Sequence, residues 1–298
     1  MLAFYRKYAL PIQLVLLIGI VVALAANGIY PSTKLGFALV VLWGVLNARV
    51  RAFVIDFAPF IVLLLSYSAL RSFADNLSSS EIHIRDMIAW EKSLFGGTLP
   101  GYFLQKHLIG GTLTPVLDVL TNSLYLSHFI TPVIAAGLLW RRKVSDYWAF
   151  ALGLVALSYA GFLTYILFPA APPWWATQHG YLDATPITLS QFVVSGETVS
   201  AAANPVAAMP SLHAAYPTYI ALVCLLVWGK RALPAVLLPL GVIFSTVYLG
   251  HHYVIDAIAG AGYAAFFTFT VFLWARRRAL VFDWFGKRKA SSQAPHGI

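Results

Sequence analysis

The sequence predicts an all-α, polytopic membrane helix bundle of about eight spans. Hydrophobic residues make up 60% of the 298 and charged residues only 10%. The mean hydropathy of +0.77 is far above that of a soluble domain. Apolar runs of bilayer-crossing length recur between short stretches of charge, Pro or Gly. With 15 Tyr, 20 Phe and 9 Trp the chain also has material for aromatic belts at both interfaces.

Taken in order, the expected spans lie near 8–26, 34–49, 53–71, 113–139, 147–168, 211–229, 232–250 and 254–275. The first follows Arg6 and Lys7 and resembles a signal peptide with a small-residue site near Ala25. Its apolar run is long enough to cross, so it is expected to remain as an uncleaved span. Residues 1–52 are then two accessory spans, 53–279 a six-helix core, and 280–298, ending in "KRKASSQAPHGI", a disordered tail.

The net charge of +9 does not point to a nucleic-acid partner, because the cations sit in small groups between apolar runs. With the N-terminus inside, Arg6/Lys7, Arg49/Arg51, Arg141/Arg142/Lys143, Lys230/Arg231, Arg276/Arg277/Arg278 and Lys287/Arg288/Lys289 fall on one side. These are fifteen of the chain's 20 lysines and arginines. Lys34, Arg71, Arg85, Lys92 and Lys106 fall on the other, so both termini are expected in the cytoplasm. The only cysteine, Cys224, lies inside an apolar run and admits no internal disulfide.

Two long segments, about 72–112 and 169–210, are sent outside. In "IHIRDMIAWEKSLFGG" the spacing of Ile84, Met87, Ile88, Trp90 and Leu94 predicts an amphipathic helix on the interface, ended by a glycine pair. "FPAAPPWWATQHG" is stiffened by proline and suited to headgroup depth.

Ionisable groups in or beside spans are costly and mark candidate sites. Four places qualify: Asp56 with Arg71, Asp118 to His128, His213, and "YLGHHYVIDAIAG". His252 and Asp256 are four apart, so on a helix the carboxylate can accept the imidazole N–H and raise the basicity of the other ring nitrogen. His251 has Ile255 at that spacing and no such partner. His213, in "AAMPSLHAAYP", lies at the outer end of the sixth span, at the same face as His252. Ser211 and the free amides of a helix starting near Pro210 form an anion site. Two histidines, a carboxylate and a helix N-terminus describe phosphoryl transfer that requires no metal or other cofactor. Structural roles for each residue remain the alternative.

"PSLH" followed about forty residues later by "HYVID" resembles the type 2 phosphatidic acid phosphatase superfamily, in particular the branch containing fungal inositol phosphorylceramide synthase. "NSLYLSHFITP" and "FPAAPPWW" are similar to stretches of that branch in the same order, and the resemblance covers roughly residues 53–275. It implies a six-helix core in which His213 is general acid and then base, His252 the nucleophile that forms a phosphohistidine, and Asp256 its orienting partner.

Three departures stand out. The first phosphatase motif, Lys then Arg-Pro, has no match; the third-motif Arg position holds Thr246 after Ser245; and Leu212 replaces a glycine. A site with fewer cations suits a phosphodiester, which carries one negative charge where a monoester carries nearly two. Arg71 is the best-placed outer cation, and Asn122, Tyr125 and His128 share one region of the fourth span. They are expected to bind phosphate or substrate, with an interhelical hydrogen-bond network as the alternative.

The expected function is headgroup transfer from a phospholipid, such as one of the phosphatidylinositol type, to a lipid or sugar hydroxyl at the extracytoplasmic face. A lipid phosphate or polyprenyl diphosphate phosphatase using water, and a non-enzymatic lipid transporter, stay open beside it.

Overall fold

The computed structural model describes residues 50–71, 81–182, 193–194, 197–198 and 207–278. The expected spans at 8–26 and 34–49 and the tail at 280–298 lie outside the described residues. In chain order the helices are α1 (Val50–Arg71), α2 (Arg85–Leu94), α3 (Pro100–Leu108), α4 (Thr114–Arg142), α5 (Val144–Leu167), α6 (Pro173–Gln178), α7 (Leu212–Trp228), α8 (Leu237–Tyr248) and α9 (Val254–Arg277). Among the described residues the only strands are an antiparallel pair of two residues each, Val193–Val194 and Glu197–Thr198. The chain is a helical membrane protein. Thr114–Arg142, Val144–Leu167, Leu212–Tyr248 and Val254–Arg277 are each long and apolar enough to cross a bilayer.

The stretch Leu212–Tyr248 is not one crossing. Gly229 takes φ +61°, which a residue with a side chain adopts at a cost, and Gly229–Val236 winds as a 3₁₀ turn containing Pro234. The chain folds back there, and α7 packs against α8. α1, α4, α5, α7, α8 and α9 therefore match the six expected core spans.

At the end away from the histidines, the buried carboxylate of Asp146 on α5 accepts from Arg142 of α4 and, at 3.0 Å, from Arg276 Nε of α9. Two cations first read as topology markers thus also clamp three helices. Asp56, considered above with Arg71, instead accepts from the Trp140 indole N–H at 2.6 Å. Fifteen residues along one helix separate it from Arg71 by about 22 Å.

The described parts of the two long segments, 81–112 and 169–182 with 207–210, meet at the opposite end of the bundle. His83 N–H donates to Pro169 O at 2.8 Å, Ala171 N–H to His83 O at 3.0 Å and Ala208 N–H to Ala170 O at 3.1 Å. Helix α2 is amphipathic and ends before Gly96 and Gly97, both at positive φ. Its faces differ from the expected pattern. Met87, Ile88 and the carboxylate Glu91 turn inward, whereas Trp90 and Leu94 are exposed. The physical reason is that α2 docks on the start of α9 as well as facing the surface.

Candidate active site

Helices α7 and α9 cross closely at their first turns. Ser211 N–H donates to Asp256 O at 3.0 Å. A Cβ on Gly260 would stand 2.2 Å from Ser211 O, so glycine is what permits the approach. Both helices start at this crossing, and the chain entering each one carries a histidine to the same point. His213 Nδ1 and His252 Nε2 are 2.9 Å apart, one donating to the other. The spacing is closer than a site holding phosphate between two imidazoles requires.

Behind His252 lies Asp256, fully buried, with Oδ2 3.4 Å from His252 Nδ1. That is charge-pairing range, beyond the roughly 2.7–3.2 Å of an ordinary N–H···O bond. The same oxygen accepts from Tyr253 N–H at 2.9 Å and caps α9. The carboxylate is thus fixed to its own helix while facing the imidazole.

The turn before α9 is built on one carbonyl. Thr246 O accepts from His251 N–H at 2.9 Å and from His252 N–H at 3.2 Å. Gly250, at φ +73°, lets the chain reverse there, and its carbonyl accepts from Trp174 N–H at 3.1 Å. The proline-rich outer segment thereby holds the histidine turn. Where a phosphatase has its third-motif arginine, the Thr246 hydroxyl donates to Ile243 O at 2.9 Å.

Helix α4 supplies the facing wall. The buried Tyr125 ring is stacked between His213 (centroids 4.7 Å apart) and His251 (4.5 Å). His128 meets the His213 ring edge-on at 4.1 Å, and its Nδ1 is 2.5 Å from Tyr125 O. Buried Asn122, one turn before Tyr125, donates to Asp118 O at 2.8 Å. Tyr125 and His128 are therefore brought into contact with the histidine pair. Arg71 ends α1, and its side chain lies outside the described residues.

Two neighbouring residues at the start of α7 have structural partners. The Ser211 hydroxyl is completely buried and accepts from Ala214 N–H at 3.3 Å, which caps the start of α7. Leu212 packs into the apolar core against Gly161 of α5, where an added Cβ would meet its Cδ2 at 3.0 Å.

Two buried residues were missed. His251 has no partner at helical spacing, yet it stacks on Tyr125; burial, with a smaller effect of neighbouring His252, pushes its pKa down to about 3 and keeps it neutral. Glu91, read as part of a surface helix, accepts from Val254 N–H at 2.9 Å and Ile255 N–H at 3.1 Å, the first two residues of α9. A carboxylate at i+3 and i+4 from Ile88 and Met87, on an otherwise apolar face, was the available signal.

A family model described as the PAP2 superfamily matches residues 88–280. Among curated proteins, phosphoinositol dihydroceramide synthase of Bacteroides thetaiotaomicron is 28% identical, across 86% of this chain and 88% of that protein. The inositol phosphorylceramide synthase catalytic subunit of Schizosaccharomyces pombe is 28% identical across 60% of this chain and 44% of its own length. Inositol phosphorylceramide synthase of Candida albicans is 27% identical across 60% and 40%. The chain spans less than half of either fungal relative. No solved structure matches.

Proposed function

The chain belongs to the PAP2 superfamily, and from that premise we propose that it transfers a phosphoinositol-type headgroup from a phospholipid donor to a lipid hydroxyl of the ceramide class. The enzyme is of the phosphatase/phosphotransferase type. The headgroup and the acceptor class follow the names of the relatives, and the phospholipid donor follows from the diester-suited site expected from the sequence. The observation that carries the reading is the direct approach of His213 Nδ1 to His252 Nε2, with Asp256 behind the second ring.

With its Nδ1 proton turned toward Asp256, His252 presents the Nε2 lone pair to phosphorus. As the P–N bond forms, the bond from phosphorus to the glycerolipid oxygen breaks, and protonated His213 delivers its proton to that oxygen. Diacylglycerol leaves, and the headgroup stays on His252 as a phosphoramidate. His213, now neutral, takes the proton of the acceptor hydroxyl while the acceptor oxygen attacks phosphorus. The P–N bond breaks, its electron pair returns to Nε2, and His213 is protonated again. Water in place of the lipid hydroxyl gives hydrolysis.

At 2.9 Å the two imidazoles occupy each other's reactive nitrogens, so the donor phosphate has to displace that bond on binding. His213, the less buried of the pair, is the ring that turns. Tyr125, His128, Asn122 and Arg71 bind the phosphate and headgroup. The domain division at 52/53 and 279/280, cytoplasmic termini and an extracytoplasmic site complete the proposal, supported by the distribution of cations along the sequence.

The test is incubation of the purified protein with labelled phosphatidylinositol, with and without ceramide. A labelled phosphoinositol-ceramide and released diacylglycerol are the expected products. Free inositol phosphate formed at the same rate whether or not ceramide is present would identify a hydrolase of the phosphodiester instead.

A further inference from the structure

We propose that Glu91 of the surface helix α2 is a positioning residue for the histidine pair, setting the rotation and depth of the first turn of α9. This rests on the reading of His252 as nucleophile and Asp256 as its partner. A helix begins with four backbone N–H groups that lack intrahelical acceptors. At α9 three amides, those of Tyr253, Val254 and Ile255, are taken by two carboxylates, Asp256 from within and Glu91 from outside.

The outside contact carries more geometric information. Oε1 and Oε2 each hold one of two consecutive amides, and two such bonds fix both the position of the turn and its rotation about the helix axis. Rotation matters because Asp256 is the third residue of α9 and His252 precedes the helix. Any turn of the first residues changes the 3.4 Å separation between Asp256 Oδ2 and His252 Nδ1.

The surroundings explain why the contact is rigid. Glu91 is 1% exposed, and the cluster about it contains Met87, Ile88, Tyr253 and Ile255. Burial pushes its carboxyl above the usual range, opposed by the two amide bonds. An acceptor in so dry a place has few alternative partners. Anionic charge at a helix N-terminus adds a favourable interaction with the helix dipole.

Two variants approach the contact from opposite sides. Glu91→Gln keeps the shape but replaces one acceptor oxygen with a donor aimed at an N–H. Val254→Pro removes the amide that donates to Oε1, at the first helical position where proline is tolerated; the preceding residue, Tyr253, already has the extended ψ of 159° that a following proline requires. Rates are taken per folded protein, measured by monodisperse elution, in the labelled phosphatidylinositol and ceramide assay. Both variants are expected to lower kcat about 10- to 100-fold, in line with a displacement of up to 1 Å at the reacting groups, with KM for either lipid changed less than about threefold. In an Asp256→Asn background the further loss from Glu91→Gln should fall below about threefold, because both act through His252.

Wild-type kcat in folded Val254→Pro overturns the proposal, as does a full, additive loss in the Asp256→Asn background. If Glu91→Gln does not fold, Val254→Pro alone decides. If His252→Ala retains turnover, the functional reading itself fails. If His252→Ala is inactive while Val254→Pro is normal, only the role of Glu91 is lost.

Discussion

Gly260→Ala strikes the contact that brings the two histidines together. The new Cβ would lie 2.2 Å from Ser211 O, 3.1 Å from Ser211 C and 3.3 Å from Ala215 N, all backbone atoms. A carbon and a carbonyl oxygen approach to about 3.3 Å, so α7 and α9 must separate by roughly 1 Å. The Ser211–Asp256 bond, now 3.0 Å, would then exceed hydrogen-bonding distance. Overpacking of this kind costs about 1–3 kcal/mol, and losing the bond about 0.5–1.5 kcal/mol more.

The functional loss should be larger than the loss of folded protein. A displacement of about 1 Å between reacting groups is worth about 100-fold in rate. The assay is the initial rate of headgroup transfer per folded molecule in detergent, with the thermal midpoint measured beside it. Gly262→Ala is the internal control, because no atom lies within 4 Å of its added Cβ. It should leave the rate unchanged and stabilise α9 by about 0.5–1 kcal/mol. A Gly260→Ala protein with a rate within about threefold of wild type and an unchanged midpoint would refute the claim that this crossing sets the histidine geometry.

Leu212→Gly should destabilise by about 2–5 kcal/mol through the cavity it leaves, without shifting the ratio of ceramide product to hydrolysis; a marked shift toward hydrolysis would show that Leu212 helps to select the acceptor. Asp146→Asn removes the carboxylate shared by Arg142 and Arg276. It should cost about 1–3 kcal/mol in thermal or denaturant unfolding, since both arginines keep access to solvent, while the rate per folded molecule stays the same. His251→Phe keeps a ring against Tyr125 and removes a group held neutral in the fold at a pKa of about 3. An unfolded histidine takes up its proton near pH 6.5, so wild-type stability falls as pH drops below that value, by about 1.4 kcal/mol at pH 5.5 from this residue. Denaturant titrations of His251→Phe at pH 7.5 and 5.5 should show that part of the acid loss removed.

The hydropathy pattern made the long apolar helices legible because a bilayer imposes length and composition on every one. The expected 113–139 and the observed Thr114–Arg142 differ only where α4 runs on into its arginines. His213, His252 and Asp256 were legible for a different reason. The closeness of His252 and Asp256 in sequence and a proline at a helix start are local signals, although His252 precedes α9 and faces Asp256 across the first turn instead of from the same helix. The burial of Ser211 and the packing of Leu212 against Gly161 were not legible, because sequence gives a side chain's chemistry before its direction. Glu91 and His251 were missed because their partners arise only when α2, α4 and the turn before α9 pack together.

The most direct test of the functional account is to trap the covalent intermediate. The protein is mixed with phosphatidylinositol labelled in the headgroup, quenched before ceramide is added, digested and sequenced by mass spectrometry. The expected result is an acid-labile, base-stable label on His252 that is discharged to ceramide in a chase, and that is absent from His252→Ala. Transfer to ceramide by His252→Ala, or a discharging label on any other residue, would contradict it.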